Sequence, residues 1–290
     1  MSGGTMPVNL TVCARTDVGL VRRSNEDAFV VADLTSGSAL HEPQVTSRLE
    51  VGDRGVLLAV ADGLGGHAAG EVASALVVES LRRSLSRSIP ADPRRVDGLV
   101  EEAARRANRA VWQAAHAPGR ERMGTTLTAV FVRGPYAHIA EVGDSRAYLL
   151  RGGVIQQVTR DQSYVQLLID SGVSPHDARR SPFNSVVLQA MGTRPDVKVA
   201  LGRLALRQRD CLIVCSDGLS NKVGVDELRW AILRSQRLDA ACAAMVDLAK
   251  QRGGEDNITV IVAGVSGDLP RQIAGESIDD TFQVVQEFRT

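Results

Sequence analysis

Apolar residues along this 290-residue chain fall into two kinds of run. Short, nearly unbroken stretches read as strands at 10–14, 28–32, 56–61, 126–132, 137–142, 147–150, 154–158, 211–215 and 258–263. Longer stretches with a 3.6-residue apolar period read as helices at 70–88, 96–117, 162–171, 225–235 and 238–251. Two neighbouring strand pairs are joined by Arg133-Gly134-Pro135-Tyr136 and Arg151-Gly152-Gly153, connections so short that only antiparallel hairpins use them. The order runs from strands to two long helices, a meander of hairpins, then helices and a last strand. That mixture predicts an α+β fold of antiparallel sheets covered by helices, not a doubly wound parallel sheet. Segments 34–54 and 171–198 read as loops and 268–290 as a short tail. No solenoid repeat or low-complexity stretch interrupts the pattern.

Composition narrows the class. Lys and Arg number 34 against 34 Asp and Glu, so the chain lacks the long-range field of a nucleic-acid or anionic-membrane binder. Two Trp, three Tyr and five Phe leave few platforms for stacking bases, which excludes nucleic acid as the expected partner. No apolar run reaches the ~18–20 residues of a membrane span, and residues 1–10, MSGGTMPVNL, have neither a basic start nor an apolar stretch. A cytoplasmic protein is expected. Cys13 and Cys242 stand alone, and Cys211 and Cys215 in one strand would lie ~13 Å apart, so buried reduced thiols are expected. Paired arginines at 82–83, 94–95 and 105–106 alternate with acids on helical patterns and read as solvated faces.

Candidate chemistry sits where strands end. The run Val56–Ala61 delivers Asp62-Gly63, and Cys211–Cys215 with Ser216 delivers Asp217-Gly218. A third run reaches Asp144, and Asp256 stands just before the strand at 258. A single Asp-Gly is an ordinary turn, because Asp bonds its own backbone and Gly tolerates positive φ. Two copies without a hairpin partner are not so explained. Several carboxylates gathered at one rim repel, and cations relieve that repulsion. Aspartate oxygens without Cys or clustered His favour Mg²⁺ or Mn²⁺ over Zn²⁺. Two such ions activate water for displacement at phosphorus, which predicts phosphoester hydrolysis without a protein nucleophile. A phosphate-gripping arginine is offered near the N-terminus by Arg22 or Arg23, ahead of Glu26 and Asp27.

These residues carry a family resemblance. RRSNEDAF (22–29), ADGLGGHAAGEVAS (61–74), MGTTLTAV (123–130), VGDSRAYLLRGG (142–153), CSDGLSN (215–221) and GGEDNITVIV (253–262) together resemble the PP2C-type (PPM) metal-dependent serine/threonine phosphatases in their bacterial form. The likeness spans residues 10–264 in motif order, leaving 1–9 as an extension and 265–290 as a tail. It implies an α/β/β/α four-layer sandwich with a binuclear metal site at one end of the sheets. Within the resemblance Asp62 matches the carboxylate bridging both ions, and Gly63 lends its carbonyl to one. Asp217 and Asp256 match the other direct ligands, Glu26 and Asp27 match acids that hold metal-bound waters, and Asp144 with Asp217 matches a third, weaker metal site. Arg22 matches the phosphate-gripping arginine, with Arg23 as the neighbouring alternative.

Departures from the pattern concern proton transfer and access. Leu64 stands where animal members carry a histidine proposed as general acid; His67 matches a bacterial Gly-Gly-His or is a structural histidine. Gln162 replaces a histidine common there, and Ser181-Pro182-Phe183-Asn184 is less basic than usual, both in or beside the substrate flap. The resemblance implies a monomeric protein phosphatase acting on phosphoserine and phosphothreonine proteins and opposing a bacterial serine/threonine kinase, with two Mn²⁺ or Mg²⁺ ions and room for a third. A phosphoprotein-binding scaffold and a metabolite phosphomonoesterase are the alternatives. No sensor domain is expected within this length.

Overall fold

The structure, a computed structural model, describes residues 7–40, 46–65, 68–87, 90, 92, 95–118, 120, 123–273 and 275–289. Two antiparallel sheets stack face to face. One is ordered β11-β10-β13-β14-β1-β4, comprising β11 (Val154–Gln157), β10 (Arg146–Arg151), β13 (Cys211–Cys215), β14 (Ile258–Ser266), β1 (Asn9–Asp17) and β4 (Thr46–Glu50). The other is ordered β15-β12-β9-β8-β5-β2-β3, comprising β15 (Phe282–Gln286), β12 (Ala200–Ala205), β9 (Tyr136–Val142), β8 (Leu127–Arg133), β5 (Val56–Ala61), β2 (Ala28–Asp33) and β3 (Ala39–Leu40). Helices α1 (Ala68–Arg87) and α2 (Val96–Ala114) cover the seven-stranded sheet. Helices α6 (Val225–Arg234) and α7 (Leu238–Gln251) cover the six-stranded one, β6 (Gly63–Leu64) and β7 (Gly124–Thr125) form a separate two-stranded ribbon, and α3 (Tyr164–Asp170) and α5 (Asp217–Ser220) are short. This is the expected four-layer α+β sandwich.

The layering explains why the strands read as unbroken apolar runs. In β5, Leu57 and Ala59 face α1 and α2, while Leu58 and Val60 face the opposite sheet, so all six residues are buried. In β13, Leu212 and Val214 enter the inter-sheet core while Ile213 and both cysteines meet α6 and α7. A strand covered on both faces has no polar alternation to display. The two minimal connections are hairpins: Arg133 pairs with Tyr136 and Arg151 with Val154. Gly152 and Gly153 both have positive φ, 57° and 80°, the backbone a two-residue turn between right-twisted strands requires. All four cysteines are buried and free.

The structure departs from the sequence reading at the edges. The segment 34–54, read as a loop, contains β3 and β4, and 171–198 contains α4 (Pro175–Arg179). Strand β12 carries no signal, because Gly202 and Arg203 interrupt its apolar residues; its register against β9 and β15 is set by neighbours. Residues read as a tail complete the seven-stranded sheet: Ile278 is buried in the inter-sheet core and β15 pairs with β12. The buried fork of Arg151 on Asp210, with bonds of 2.8 and 2.6 Å, and its bond of 2.9 Å to the Ala205 carbonyl tie β10 to this edge. The arginines at 82, 83, 105 and 106 pair with Glu79, Glu101 and Glu102 along their own helices; Arg94 lies outside the described residues.

Candidate metal centre

Antiparallel register brings every candidate acid to one end of the sandwich. Ala28 of β2 pairs with Ala61 of β5, so Asp27, before β2, and Asp62, after β5, leave the sheet side by side. Cys215 of β13 pairs with Arg146 of β10 and Val260 of β14, which sets Asp217, Asp144 and Asp256 at the same end. Asp17 of β1 pairs with Ile258, so the loop carrying Arg22 emerges there too. Arg22, Glu26, Asp62, Gly63, Asp144, Asp217 and Asp256 line one cavity of about 160 Å³, with Leu64 and Asn257 beside them. Asp27 approaches from below: its Oδ2 accepts from the Ser216 hydroxyl at 2.7 Å.

Small residues permit this crowding. A Cβ on Gly63 would stand 2.4 Å from the Gly70 carbonyl oxygen and 2.6 Å from that of Glu26. Gly218 lies against Asn257, where a Cβ would meet the carbonyl oxygen at 2.0 Å. Gly19 has φ +80° with no room beside the Asp256 carbonyl, so a side chain there is excluded by space and by conformation.

A polar frame that the motifs contained, but whose roles the sequence did not reveal, orients these acids. The Asp62 amide donates to the Thr126 hydroxyl at 2.9 Å, and the Asp62 carbonyl accepts from the Thr126 amide and the Thr125 hydroxyl, both at 2.8 Å. Thr126 continues to the Ser145 hydroxyl at 2.8 Å, and Thr128 donates to the Ser145 carbonyl at 2.6 Å, so the Asp62 turn and the Asp144 loop are one network. Asn257 binds the Val18 and Ser24 carbonyls, each at 3.0 Å, and its Oδ1 accepts from the Glu26 amide at 2.7 Å, which pins the Arg22 loop. Gln162 accepts from the Gly143 amide at 2.9 Å and donates to the Glu141 carbonyl at 3.1 Å, supporting the turn into Asp144. The signal was the Thr-Thr and Asp-Asn pairs inside the motifs. His67 lies outside the described residues.

The electrostatics point to a cation. Burial first, then the charges of Asp27, Asp217 and Asp144, hold the Asp62 carboxyl well above its ordinary range. Burial, reinforced by neighbouring carboxylates, pushes Asp27 and Asp144 each up to about 7. Asp27 Oδ1 and Asp217 Oδ1 are buried with no hydrogen-bond donor, a costly state for carboxylate oxygens that a divalent ion relieves. Among the described residues no group of three or more acid, His or Cys side chains is placed closely enough to hold a metal ion by itself. A hard-cation site needs none, since Mg²⁺ and Mn²⁺ take few carboxylates and complete an octahedron with carbonyls and water. The donors present, Asp62, Asp217, Asp256 and the Gly63 carbonyl, fit such ions. Arg22 meets the site through Asp256, Nε to Oδ1 at 2.9 Å; Arg23 does not line the cavity. A larger cavity of about 490 Å³ lies between residues 157–170 and β15, but there Asp161 is paired with Arg146 and Asp170 with Arg160.

A sequence profile described as protein phosphatase 2C matches residues 46–257. The serine/threonine protein phosphatase PstP of Mycobacterium tuberculosis is 38% identical over 258 residues, 88% of this chain but 45% of PstP, so the chain spans about half the length of that relative. The serine/threonine phosphatase stp of Listeria monocytogenes is 33% identical over 89% of this chain and 96% of its own length. The solved catalytic domain of PstP in complex with two manganese ions superposes with a TM-score of 0.73 at 35% identity, covering 89% of this chain and 99% of that one. The chain belongs to the protein phosphatase 2C family and is similar to its bacterial serine/threonine phosphatases.

Proposed function

We propose that the chain is a metal-dependent protein phosphatase that hydrolyses phosphoserine and phosphothreonine, with the reaction carried by the acid-lined end of the sandwich. The supporting observation is the convergence of Asp62, Asp217 and Asp256 with Arg22 around one cavity, with a buried oxygen of Asp217 having no donor. Asp62, Gly63, Asp217 and Asp256 would hold two divalent ions, Mn²⁺ or Mg²⁺, with Glu26 and Asp27 acting through water. Asp144 and Asp217 would hold a third. When bound, such ions supply a water deprotonated near neutral pH and neutralise charge on the phosphoryl oxygens.

The chain's own residues do the rest. The Arg22 guanidinium, turned from Asp256, forks onto two phosphate oxygens and orients the ester. The Thr126–Ser145 network keeps the Asp62 carboxylate aimed into the cavity. Leu64 lines the cavity in place of a proton donor, so the departing serine or threonine oxygen takes its proton from cavity water. Among the described residues no Cys or His lines the cavity, and no phosphoenzyme forms in this reading. The catalytic unit is residues 10–264 with β15 docked on it. No described helix is long and apolar enough to cross a membrane. A cytoplasmic monomer opposing a serine/threonine kinase is the setting we assign.

The test is hydrolysis of a phosphothreonine peptide with EDTA, Mg²⁺ or Mn²⁺, beside Asp62→Asn. Activity that requires metal and disappears in the variant supports the proposal. A folded wild-type protein inactive under every metal refutes it and favours a phosphoprotein-binding scaffold.

A further inference from the structure

Among the described residues thirteen large apolar side chains are exposed, and five of them, Val18, Leu20, Val21, Phe183 and Val186, lie in two short segments that flank the acid-lined cavity. Val21 adjoins Arg22, and Val186 stands between Ser185 and Val187; Arg22, Ser185 and Val187 all line the cavity. Leu20 is 62%, Val21 65% and Phe183 55% exposed, more than the inter-sheet core or any helix contact requires. These positions are nonetheless held in place. The Leu20 amide donates to the Gly254 carbonyl at 2.7 Å, and the Phe183 ring meets Tyr164 edge to face at 5.6 Å. Arg22 and Arg23 follow Val21, Arg179 and Arg180 precede Phe183, all four are exposed, and neither segment, 18–24 or 179–187, contains an acid.

Such a rim is built for a ligand that brings negative charge to the centre and apolar surface to its sides. On the reading of the site as a phosphatase, we propose that the rim selects phosphoprotein segments that carry a bulky apolar residue next to the phosphoserine or phosphothreonine. The phosphate occupies the cavity with Arg22, and the flanking side chain packs on Val21 and Leu20 or on Phe183 and Val186. A phosphopeptide is the occupant because the apolar positions adjoin Arg22, Ser185 and Val187 of the phosphate cavity and because the charged residues within both segments are all arginines. Burying one apolar side chain in a pocket discriminates substrates by roughly 10-fold or more.

The experiment uses the full chain in Mn²⁺, with p-nitrophenyl phosphate as a substrate without flanks and phosphothreonine peptides bearing Leu, Ala or Glu on either side. The Leu peptides are expected to exceed the Ala peptides by roughly 10-fold in kcat/KM. Val21→Ser and Phe183→Ser, both at exposed positions, are expected to remove most of that advantage and leave p-nitrophenyl phosphate turnover unchanged, which also reports that they fold. Equal kcat/KM for Leu and Ala peptides, or an advantage that survives both substitutions, overturns the inference. So does a flat peptide series accompanied by binding to phosphatidylglycerol vesicles that Val21→Ser abolishes, which assigns the rim to a lipid surface. A folded wild-type protein that hydrolyses neither p-nitrophenyl phosphate nor any peptide overturns the phosphatase reading itself, a failure distinct from loss of selectivity alone.

Discussion

Arg22 closes its guanidinium on both carboxylate oxygens of Asp256, Nε to Oδ1 at 2.9 Å and Nη2 to Oδ2 at 3.0 Å. The same fork is the one assigned to the substrate phosphate, and the same carboxylate is assigned to a metal ion. One pair therefore ties together two parts of the proposed site, which ion and substrate would have to separate. Replacing Arg22 with Ala should lower kcat/KM for a phosphopeptide by roughly 100-fold, the worth of two charge-assisted hydrogen bonds. Because the pair is half-exposed, its competition with metal is modest, and Mn²⁺ should bind Arg22→Ala about 2- to 5-fold more tightly in calorimetric titration. Weaker Mn²⁺ binding in that variant would contradict the competition.

Asp217→Asn should leave a folded protein without turnover. Wild-type protein should gain about 2.7 kcal/mol of unfolding free energy when free Mn²⁺ is a hundredfold above its dissociation constant, and the variant far less. Urea titrations with and without metal measure this. Near-wild-type turnover in saturating Mn²⁺ would falsify the assignment of Asp217 as a ligand.

Thr126 touches no substrate, yet its hydroxyl joins the Asp62 amide to Ser145. Thr126→Val preserves the shape and deletes both bonds. Mn²⁺ affinity should fall about 10- to 100-fold, as it does when outer partners of metal ligands are lost. An unchanged affinity would mean that the Asp62 turn is held by its backbone bonds alone.

Glu141 is 3% exposed; its Oε2 accepts from the Arg160 amide at 3.0 Å, but its Oε1 is buried with no donor. Burial holds its carboxyl well above the ordinary 4.5. The folded protein thus binds a proton there that the unfolded chain has released, and stability falls as pH rises from about 4.5 through the folded value. Glu141→Gln should remove that slope, stabilising the protein at pH 8 by on the order of 1 kcal/mol and making little difference near pH 4. Denaturant titrations across that range check it; a variant less stable than wild type at pH 8 would show that the Arg160 amide holds the group as a carboxylate there.

The legible parts of this protein were those in which local chemistry repeats a rule. Strands buried on both faces show as apolar runs, so β5, β13 and β14 were readable, as were the hairpins at Gly134 and Gly152. Asp62, Asp217 and Asp256 were readable as acids at the ends of strands, and the structure brings all three to one cavity. Strand β12, with Gly202 and Arg203 in its middle, and β15, from a segment read as a tail, were not, because their pairing energy comes from neighbours distant in the chain.

What the sequence by itself determined is the class of fold and which acids stand at the ends of strands, both consequences of residue type and of order along the chain. Tertiary structure alone decided their meeting. Antiparallel register placed Asp27 beside Asp62, and Asp144 beside Asp217, across separations that no local pattern measures. It also placed Thr126 under Asp62 and Arg22 on Asp256, contacts between residues 64 and 234 positions apart. Hydrogen bonds and charges act over a few ångströms, so their partners exist only once the sheets have stacked.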